Sequence, residues 1–170
     1  MARYTRDELI QKIIETANAW NINPDVAVAQ LAHESVNFAD KYVYGPGTSP
    51  AGAMGVAQFM PGTWAIYGSG DPFNPDDALP AWAKYMRHLL DLFGGDYRLA
   101  LAGYHSGEGA ARGALRNPAG NPRTNNYVNT ILSRAGVTNN AVIADENWEP
   151  DNSLLLIGAL GLVLLVVLWK

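Results

Sequence analysis

The chain has 170 residues, of which 48% are hydrophobic and 16% charged, and its formal net charge is −4. This apolar content excludes a disordered protein, because such chains lack the apolar surface that offsets the entropy lost on ordering. The acidic balance, without any run of lysine or arginine, argues against nucleic acid as a partner. Cysteine is absent, which excludes disulfide frameworks, structural zinc fingers and thiol nucleophiles.

The predicted elements are helices, and caps, prolines and glycines mark most of their ends. Thr5 and Glu8 form a capping box before a run of apolar residues at helical spacing, and Asn23-Pro24 begins the second helix. Glycines and prolines between 45 and 52 predict a loop. In chain order, the sequence predicts helices over about 5–20, 23–35, 55–60 with a restart at 61–62, 74–93, 96–104 and 125–134. No strand pattern of comparable length competes with them, so we expect a mainly α domain over residues 1–135.

The C-terminal end of the sequence differs in composition from the rest. Residues 136–152 are rich in asparagine and acidic residues, and they predict a flexible linker. Residues 154–169 carry no polar side chain other than a terminal tryptophan, and a helix of this length measures about 24 Å, slightly less than the ~30 Å hydrocarbon core of a bilayer. Trp169 and Lys170 suit a lipid–water interface. We therefore expect a single membrane-spanning helix over 153–170, with a buried core helix as the alternative.

Glu34 is the candidate catalytic residue, because it ends an otherwise apolar helical segment. Desolvation in such surroundings raises the pKa of a carboxyl group, as a general acid at neutral pH requires. Taken alone, this segment favours a glutamate that caps a helix end or forms a salt bridge.

Three later segments change this balance. Gln58 is a lone polar side chain in an apolar, glycine-rich stretch, and it must find a hydrogen-bond partner. Tyr104 ends a helix just before a glycine-rich turn, where a backbone can approach a ligand closely. Tyr127 lies in the first turn of the last predicted helix.

In this order and spacing, these segments resemble the soluble lytic transglycosylases, a family with a lysozyme-like helical fold that cleaves the glycan strands of peptidoglycan. The family's E-S pair matches Glu34-Ser35, and its G-L-M-Q-x-M-P motif matches residues 55–61. Its A-Y-N-A-G motif matches residues 103–107, and a late Y-V pair matches Tyr127-Val128. The resemblance covers residues 5–135 and implies that Glu34 is catalytic. It also implies a set of side chains that line the sugar cleft: Ser35, Gln58, Met60, Tyr104, His105 and Tyr127.

Some residues depart from the family pattern. Val56 and Ala57 stand where the family has the larger Leu and Met, a loss of volume that could reshape the cleft. His105 stands at the family's Asn and, unlike Asn, could titrate near neutral pH. These departures concern sugar recognition more than the reaction itself.

The resemblance implies a reaction with one catalytic carboxyl group, where most glycosidases need two. Protonated Glu34 would donate to the glycosidic oxygen between MurNAc and GlcNAc, and the sugar's own 6-hydroxyl would then close a 1,6-anhydro ring. No cofactor is implied. Two other classes remain open: a goose-type lysozyme that hydrolyses the same bond with water, and a non-catalytic, wall-binding structural membrane protein.

The remaining polar and aromatic candidates fit other roles better. Glu108 is the best rival acid, and contact between His33 and Glu34 does not follow from their adjacency on a helix. Three scattered histidines without companion acids make no metal site. We expect three tryptophans in the core and regard two tyrosines as weaker candidates for stacking on sugars: Trp20, Trp64 and Trp82, and Tyr42 and Tyr44.

Peptidoglycan lies outside the cytoplasmic membrane, yet the first 15 residues have no secretory signal pattern. We therefore expect a virion-associated enzyme whose apolar tail enters a membrane and whose catalytic domain faces the peptidoglycan. A bacterial enzyme that serves an envelope-spanning secretion machine is the second hypothesis. The expected partners are glycan strands, a membrane through residues 154–169, and other virion or envelope-complex proteins.

Overall fold

The computed structural model describes residues 3–45, 51–118 and 121–137, and these ranges contain eight α-helices. In chain order they are α1 (Arg6–Ala19), α2 (Pro24–Glu34), α3 (Asp40–Val43), α4 (Pro61–Tyr67), α5 (Pro75–Leu92), α6 (Tyr97–Ser106), α7 (Glu108–Arg116) and α8 (Pro122–Arg134). Within the same ranges, β-type pairing is limited to one isolated antiparallel bridge between Met54 and Phe59. The prediction of a mainly α fold is therefore confirmed for this part of the chain.

The first two helices begin where the sequence predicts. The backbone N–H of Thr5 donates to Glu8 Oε2 at 2.8 Å, and the Thr5 hydroxyl accepts from the Glu8 N–H at 3.3 Å, which completes the capping box. The side chain of Asn23 accepts from two backbone N–H groups in the first turn of α2. At its other end, α2 stops at Glu34, because residues 36–38 all adopt left-handed backbone with φ between 53° and 62°.

A buried core fixes the end of α2 against the later helices. Helix α2 packs against α1 and α8, and α6 packs against both α5 and α8. Trp82 of α5 is fully buried at the centre, with Leu89 and Leu90 about two turns further along the helix. Burial of each side chain of this size stabilises the fold by about 1.5–3 kcal/mol. This packing brings the C-terminal end of α2 close to α6 and α8.

The predicted short helix over 55–60 is wrong. The residues between Met54 and Phe59 form a turn, and the backbones of these two residues exchange two hydrogen bonds of 2.9 Å each. Gly55 and Gln58 adopt left-handed backbone with φ of 69° and 49°, which a right-handed helix does not contain. Gly55 also lies so close to a neighbouring backbone carbonyl that a Cβ would collide with it. The next helix, α4, begins only after this turn.

Two described helices are absent from the sequence prediction, and one begins earlier than predicted. Helix α7 includes Gly109 and Gly113 and buries only two alanines, so it has no periodic row of large apolar residues. Helix α3 is a single turn. Helix α8 begins at Pro122, not near residue 125, because proline is well tolerated in the first turn, where its missing N–H has no intrahelical acceptor.

The predicted linker over 136–152, apart from its first two residues, and the predicted anchor over 153–170 lie outside the described residues. Among the helices that the structure does describe, none combines the length and the apolar character needed to cross a bilayer.

Candidate active site

Glu34 is the last residue of α2, and its side chain is only partly exposed. The hydroxyl of Tyr127, on α8, donates to Glu34 Oε1 at 2.6 Å. Burial raises the pKa of Glu34 from 4.5 to about 7, although the hydrogen bond from Tyr127 acts in the opposite direction. At neutral pH this carboxyl is therefore divided between its protonated and ionised forms, which suits a group that first donates and then accepts a proton.

Tyr127 is held by a polar side chain that the sequence analysis did not single out. Gln30 lies one helical turn before Glu34 and is fully buried. Its Nε2 donates to the Tyr127 hydroxyl at 3.1 Å, and its Oε1 accepts from the indole Nε1 of Trp82 at 3.2 Å. The only sequence signal for Gln30 is an uncharged polar residue within an apolar helical run, since both of its partners lie far away along the chain.

Tyr104 connects α6 to the turn between residues 54 and 59. Its hydroxyl donates to the backbone carbonyl of Ala57 at 2.7 Å, and its ring lies 5.2 Å from that of Tyr85. Burial, with a smaller contribution from the charge of Glu34, raises the pKa of Tyr104 well above its usual value. Tyr104 therefore stays neutral across the working pH range and acts as a hydrogen-bond donor, here to the motif that contains Gln58.

Two histidines flank the ring of Tyr127. His105 stacks on it with ring centroids 4.6 Å apart and an interplanar angle of 23°, and His33 meets it edge-on at 5.2 Å. Burial lowers the pKa of both histidines, and the positive charges of nearby arginines act in the same direction. Both rings are therefore neutral at pH 7. His33, which adjacency alone did not place at the site, contacts it through Tyr127.

Ser35 is fully buried directly after the end of α2. Its hydroxyl donates to the carbonyl of Leu31 at 2.6 Å and accepts from the N–H of Phe38 at 3.0 Å. The first bond lies in the last turn of α2 and the second reaches across the left-handed residues after it, so Ser35 stabilises the end of α2 and thereby the position of Glu34. Its hydroxyl has no surface that a sugar could reach, which does not support the substrate contact expected for it.

Gln58 lies in the turn that the Met54–Phe59 bridge closes, and Met60 directly follows this bridge. Gln58 Nε2 donates to the backbone carbonyl of Gly55 at 2.9 Å, inside its own turn, and the Gln58 side chain is partly exposed. Met60 is 44% exposed at the start of α4. The hydrogen bond from Tyr104 to Ala57 ties this turn to α6.

The remaining candidate residues differ in their contacts and in how far they are buried. Glu108 Oε1 lies 3.0 Å from His88 Nε2 in an exposed contact, and Tyr44 exchanges hydrogen bonds with the backbone of Tyr4. Of the three tryptophans, only Trp82 is fully buried, and Trp20 is 38% exposed, so the core prediction is wrong for Trp20. In the described ranges, no three His, Asp or Glu side chains are grouped closely enough to hold a metal ion.

Comparison with known proteins identifies the same region. The sequence model of the family described as "Transglycosylase SLT domain" matches residues 11–127. The chain is also 31% identical over 89 residues to the transglycosylase of Enterobacteria phage PRD1, in a match that covers 52% of this chain and 33% of that protein. This chain therefore spans about a third of the length of that relative.

Solved structures show the same fold. The lytic transglycosylase Slt of Pseudomonas aeruginosa, solved as an inactive mutant, matches with a TM-score of 0.60 and 24% identity, over 74% of this chain and 23% of that chain. The 70 kDa soluble lytic transglycosylase of Escherichia coli matches with a TM-score of 0.58 and 22% identity, over 85% of this chain and 26% of that chain. A complex of the 70-kDa soluble lytic transglycosylase with bulgecin A also matches, with a TM-score of 0.60 and 22% identity. At these identities the similarity shows the fold alone, and it confirms the lysozyme-like arrangement. Because the family match covers well over half of the chain and includes Glu34 and Tyr127, this protein belongs to the Transglycosylase SLT domain family.

Proposed function

We propose that this protein is a peptidoglycan lytic transglycosylase in which Glu34 is the single catalytic carboxyl. The main support is the state of that group: burial raises its pKa to about 7, and Tyr127 holds one of its oxygens at 2.6 Å. Family membership and the similarity to a phage transglycosylase support the reaction class. The relatives are three to four times longer than the matched region, so the activity of this chain is inferred from its own site.

The reaction follows from a carboxyl that is half protonated at neutral pH. Protonated Glu34 gives its proton to the glycosidic oxygen between MurNAc and GlcNAc, and the bond from that oxygen to C1 of MurNAc breaks with its electron pair remaining on the oxygen. The 6-hydroxyl oxygen of the same MurNAc then bonds to C1. The ionised Glu34 takes the proton of this hydroxyl, which restores the carboxyl and closes the 1,6-anhydro ring. One carboxyl suffices because the nucleophile is part of the sugar.

The biological role that fits best is local wall opening by a phage particle during genome entry. Two observations support it: the similarity to the transglycosylase of phage PRD1, and the apolar segment 154–169, which is suited to a bilayer. In this proposal the segment is a single-pass anchor in the virion or host envelope membrane, and the catalytic domain faces the peptidoglycan. Other virion or envelope-complex proteins would then be its neighbours.

The reaction is tested by digesting purified sacculi and analysing the products by mass spectrometry. We expect the wild type to release fragments with 1,6-anhydroMurNAc ends and Glu34→Gln to release none. Glu108→Gln is the matched control, because it removes the rival carboxyl on the surface, and it should retain activity close to the wild type. Reducing MurNAc ends would identify a goose-type lysozyme instead, and undiminished wall clearing by Glu34→Gln would refute the catalytic assignment.

The membrane role is tested separately by truncation after Asn152. We expect the full chain to float with liposomes in a density gradient and the truncated chain to stay at the bottom. Flotation of the truncated chain would refute an anchor at 154–169.

A further inference from the structure

A chain of three hydrogen bonds runs from the protein core to the catalytic carboxyl. Trp82 on α5 donates to Gln30 at 3.2 Å, Gln30 on α2 donates to Tyr127 at 3.1 Å, and Tyr127 on α8 donates to Glu34 at 2.6 Å. Trp82 and Gln30 are fully buried, and Tyr127 is 4% exposed. Water therefore does not compete for these bonds, and the two middle members, Gln30 and Tyr127, each have a fixed partner on either side.

The chemistry of Trp82 sets the direction of the whole chain. An indole N–H can only donate, so the amide oxygen of Gln30 must face Trp82 and its NH2 group must face Tyr127. An amide NH2 can also only donate, so the Tyr127 oxygen is the acceptor of that bond. The single hydroxyl proton of Tyr127 is then left to point at Glu34 Oε1. A reversed chain would place two donors against each other at Trp82.

We infer that Trp82 and Gln30 are positioning residues that act through Tyr127 to keep the transferable proton of Glu34 on Oε2. Tyr127 already donates to Oε1, so an acid proton on that oxygen would meet the hydroxyl proton head-on. The inference concerns the acid step of the proposed function and rests on it for its catalytic meaning. Its structural content, the fixed direction of the hydrogen bonds, can be measured without turnover.

Glu34 Oε2 is the oxygen that a substrate can reach. In the part of the chain that the structure describes, every buried side-chain nitrogen or oxygen has a hydrogen-bond partner. Glu34 Oε2 accepts no hydrogen bond there, so it is not one of these buried atoms. Oε2 therefore has access to solvent, and it is the position from which a proton can leave toward a glycosidic oxygen. The hydrogen-bond chain thus separates the two oxygens of one carboxyl into an anchored oxygen and a reactive one.

The titratable groups around Glu34 do not obscure its titration. Tyr127 from α8 and Tyr104 from α6 face the carboxyl, and the pKa of both is raised well above the usual value, mainly by burial. His105 of α6 and His33 of α2 contact Tyr127, and burial lowers the pKa of each below its usual value of 6.5. A titration near pH 7 therefore reports Glu34.

Removal of the donor behind Tyr127 has a predictable direction. In Gln30→Met the Tyr127 hydroxyl loses the bond that polarises it, so it donates more weakly to ionised Glu34. It also becomes free to accept a proton from neutral Glu34. Both changes favour the protonated carboxyl and raise the pKa of Glu34, and the second turns the proton away from the substrate.

The test compares the full chain, in a mild non-ionic detergent, with Gln30→Met, Trp82→Phe and the control Leu31→Met. Leu31 is equally buried on α2, and its side chain has no polar atom. The pKa of Glu34 is followed by carbon-13 NMR of the labelled carboxyl, assigned with Glu34→Gln, and kcat and KM are measured on sacculi. We expect Gln30→Met to raise the pKa by about half a pH unit and to lower kcat about tenfold with KM unchanged. Trp82→Phe should also raise the pKa of Glu34 and lower kcat, and Leu31→Met should change neither the pKa nor kcat.

The outcomes separate this inference from the proposed function. A folded Gln30→Met protein whose Glu34 titrates as in the wild type would overturn the inference, and this variant decides the question alone if Trp82→Phe does not fold. An equal pKa shift in Leu31→Met would also overturn it, because the effect would then be a general disturbance of α2. If the wild type leaves sacculi intact while Gln30→Met still moves the titration, the hydrogen-bond chain is supported and the proposed function fails.

Discussion

We expect the ionised side chain of Glu34 to lower the free energy of unfolding of the protein, by an amount that depends on pH. Its pKa is about 7 in the folded chain instead of 4.5, and each pH unit between these values corresponds to about 1.4 kcal/mol. Ionised Glu34 can therefore lower the free energy of unfolding by at most about 3 kcal/mol above pH 8. Partial access of the carboxyl to solvent reduces the expected loss of stability to about 1–2 kcal/mol. In Glu34→Gln the side chain is always neutral and keeps an oxygen for Tyr127, so the variant avoids this cost.

The sign of the stability difference between the wild type and Glu34→Gln follows from the upward shift of the Glu34 pKa. Both proteins carry a neutral side chain at pH 4, so their free energies of unfolding should agree there. As the pH rises from 4.5 through 7, wild-type Glu34 ionises against its surroundings, and Glu34→Gln should become the more stable protein by about 1–2 kcal/mol. Urea unfolding followed by circular dichroism at pH 4, 5.5, 7 and 8.5 measures this difference. A difference that stays constant from pH 4 to 8.5, or a less stable variant at pH 8.5, would show that the carboxyl is not desolvated.

Three further predictions concern the surroundings of this carboxyl. The rate of wall cleavage should fall as the pH rises through 7. Tyr127→Phe should move this decrease in rate to higher pH, because the variant removes the hydrogen bond that lowers the pKa of Glu34. A decrease that moves to lower pH would contradict the assignment of Glu34 as the acid. Ser35→Ala removes two buried hydrogen bonds and should lower the free energy of unfolding by about 1–3 kcal/mol; a loss below about 0.5 kcal/mol in urea unfolding would show that the turn does not depend on Ser35. Gly55→Ala should lower the free energy of unfolding by about 2–4 kcal/mol, because the new Cβ would meet a backbone carbonyl and the residue has a φ of 69°. The control Gly62→Ala has open space around its Cβ and should change the free energy of unfolding by less than about 0.5 kcal/mol in the same assay.

Most of the fold could be predicted from the sequence because its signals are local. A capping box at Thr5 and Asn-Pro starts at Asn23 and Asn74 mark three helices, and each side chain caps the backbone a few residues later. The prediction failed where distant contacts decide the backbone. Gly55 is left-handed and lies against the carbonyl of Pro72, where a Cβ would collide, and this contact has no signature within residues 55–60.

The candidate site likewise has residues that local sequence signals predict and residues whose role depends on distant contacts. Glu34 could be recognised from the apolar residues before it, because they are its neighbours on the same helix and desolvation follows from them. Gln30 could not, since its partners Tyr127 and Trp82 lie 97 and 52 residues away along the chain. For Ser35 the sequence motif indicates a position near the sugar, whereas the structure shows that its hydroxyl is used to end α2.

The hydrogen bonds that prepare Glu34 connect it to the last described helix, which has a consequence for the cell that synthesises the protein. The ribosome adds Glu34 early, but Tyr127 follows 93 residues later. Until then the carboxyl has neither its donor nor the walls that keep it neutral, and it titrates as an ordinary glutamate. In the proposed reaction, a chain that does not yet include Tyr127 is therefore inert toward the wall, and Glu34 can act as the acid only when α8 has been translated and folded.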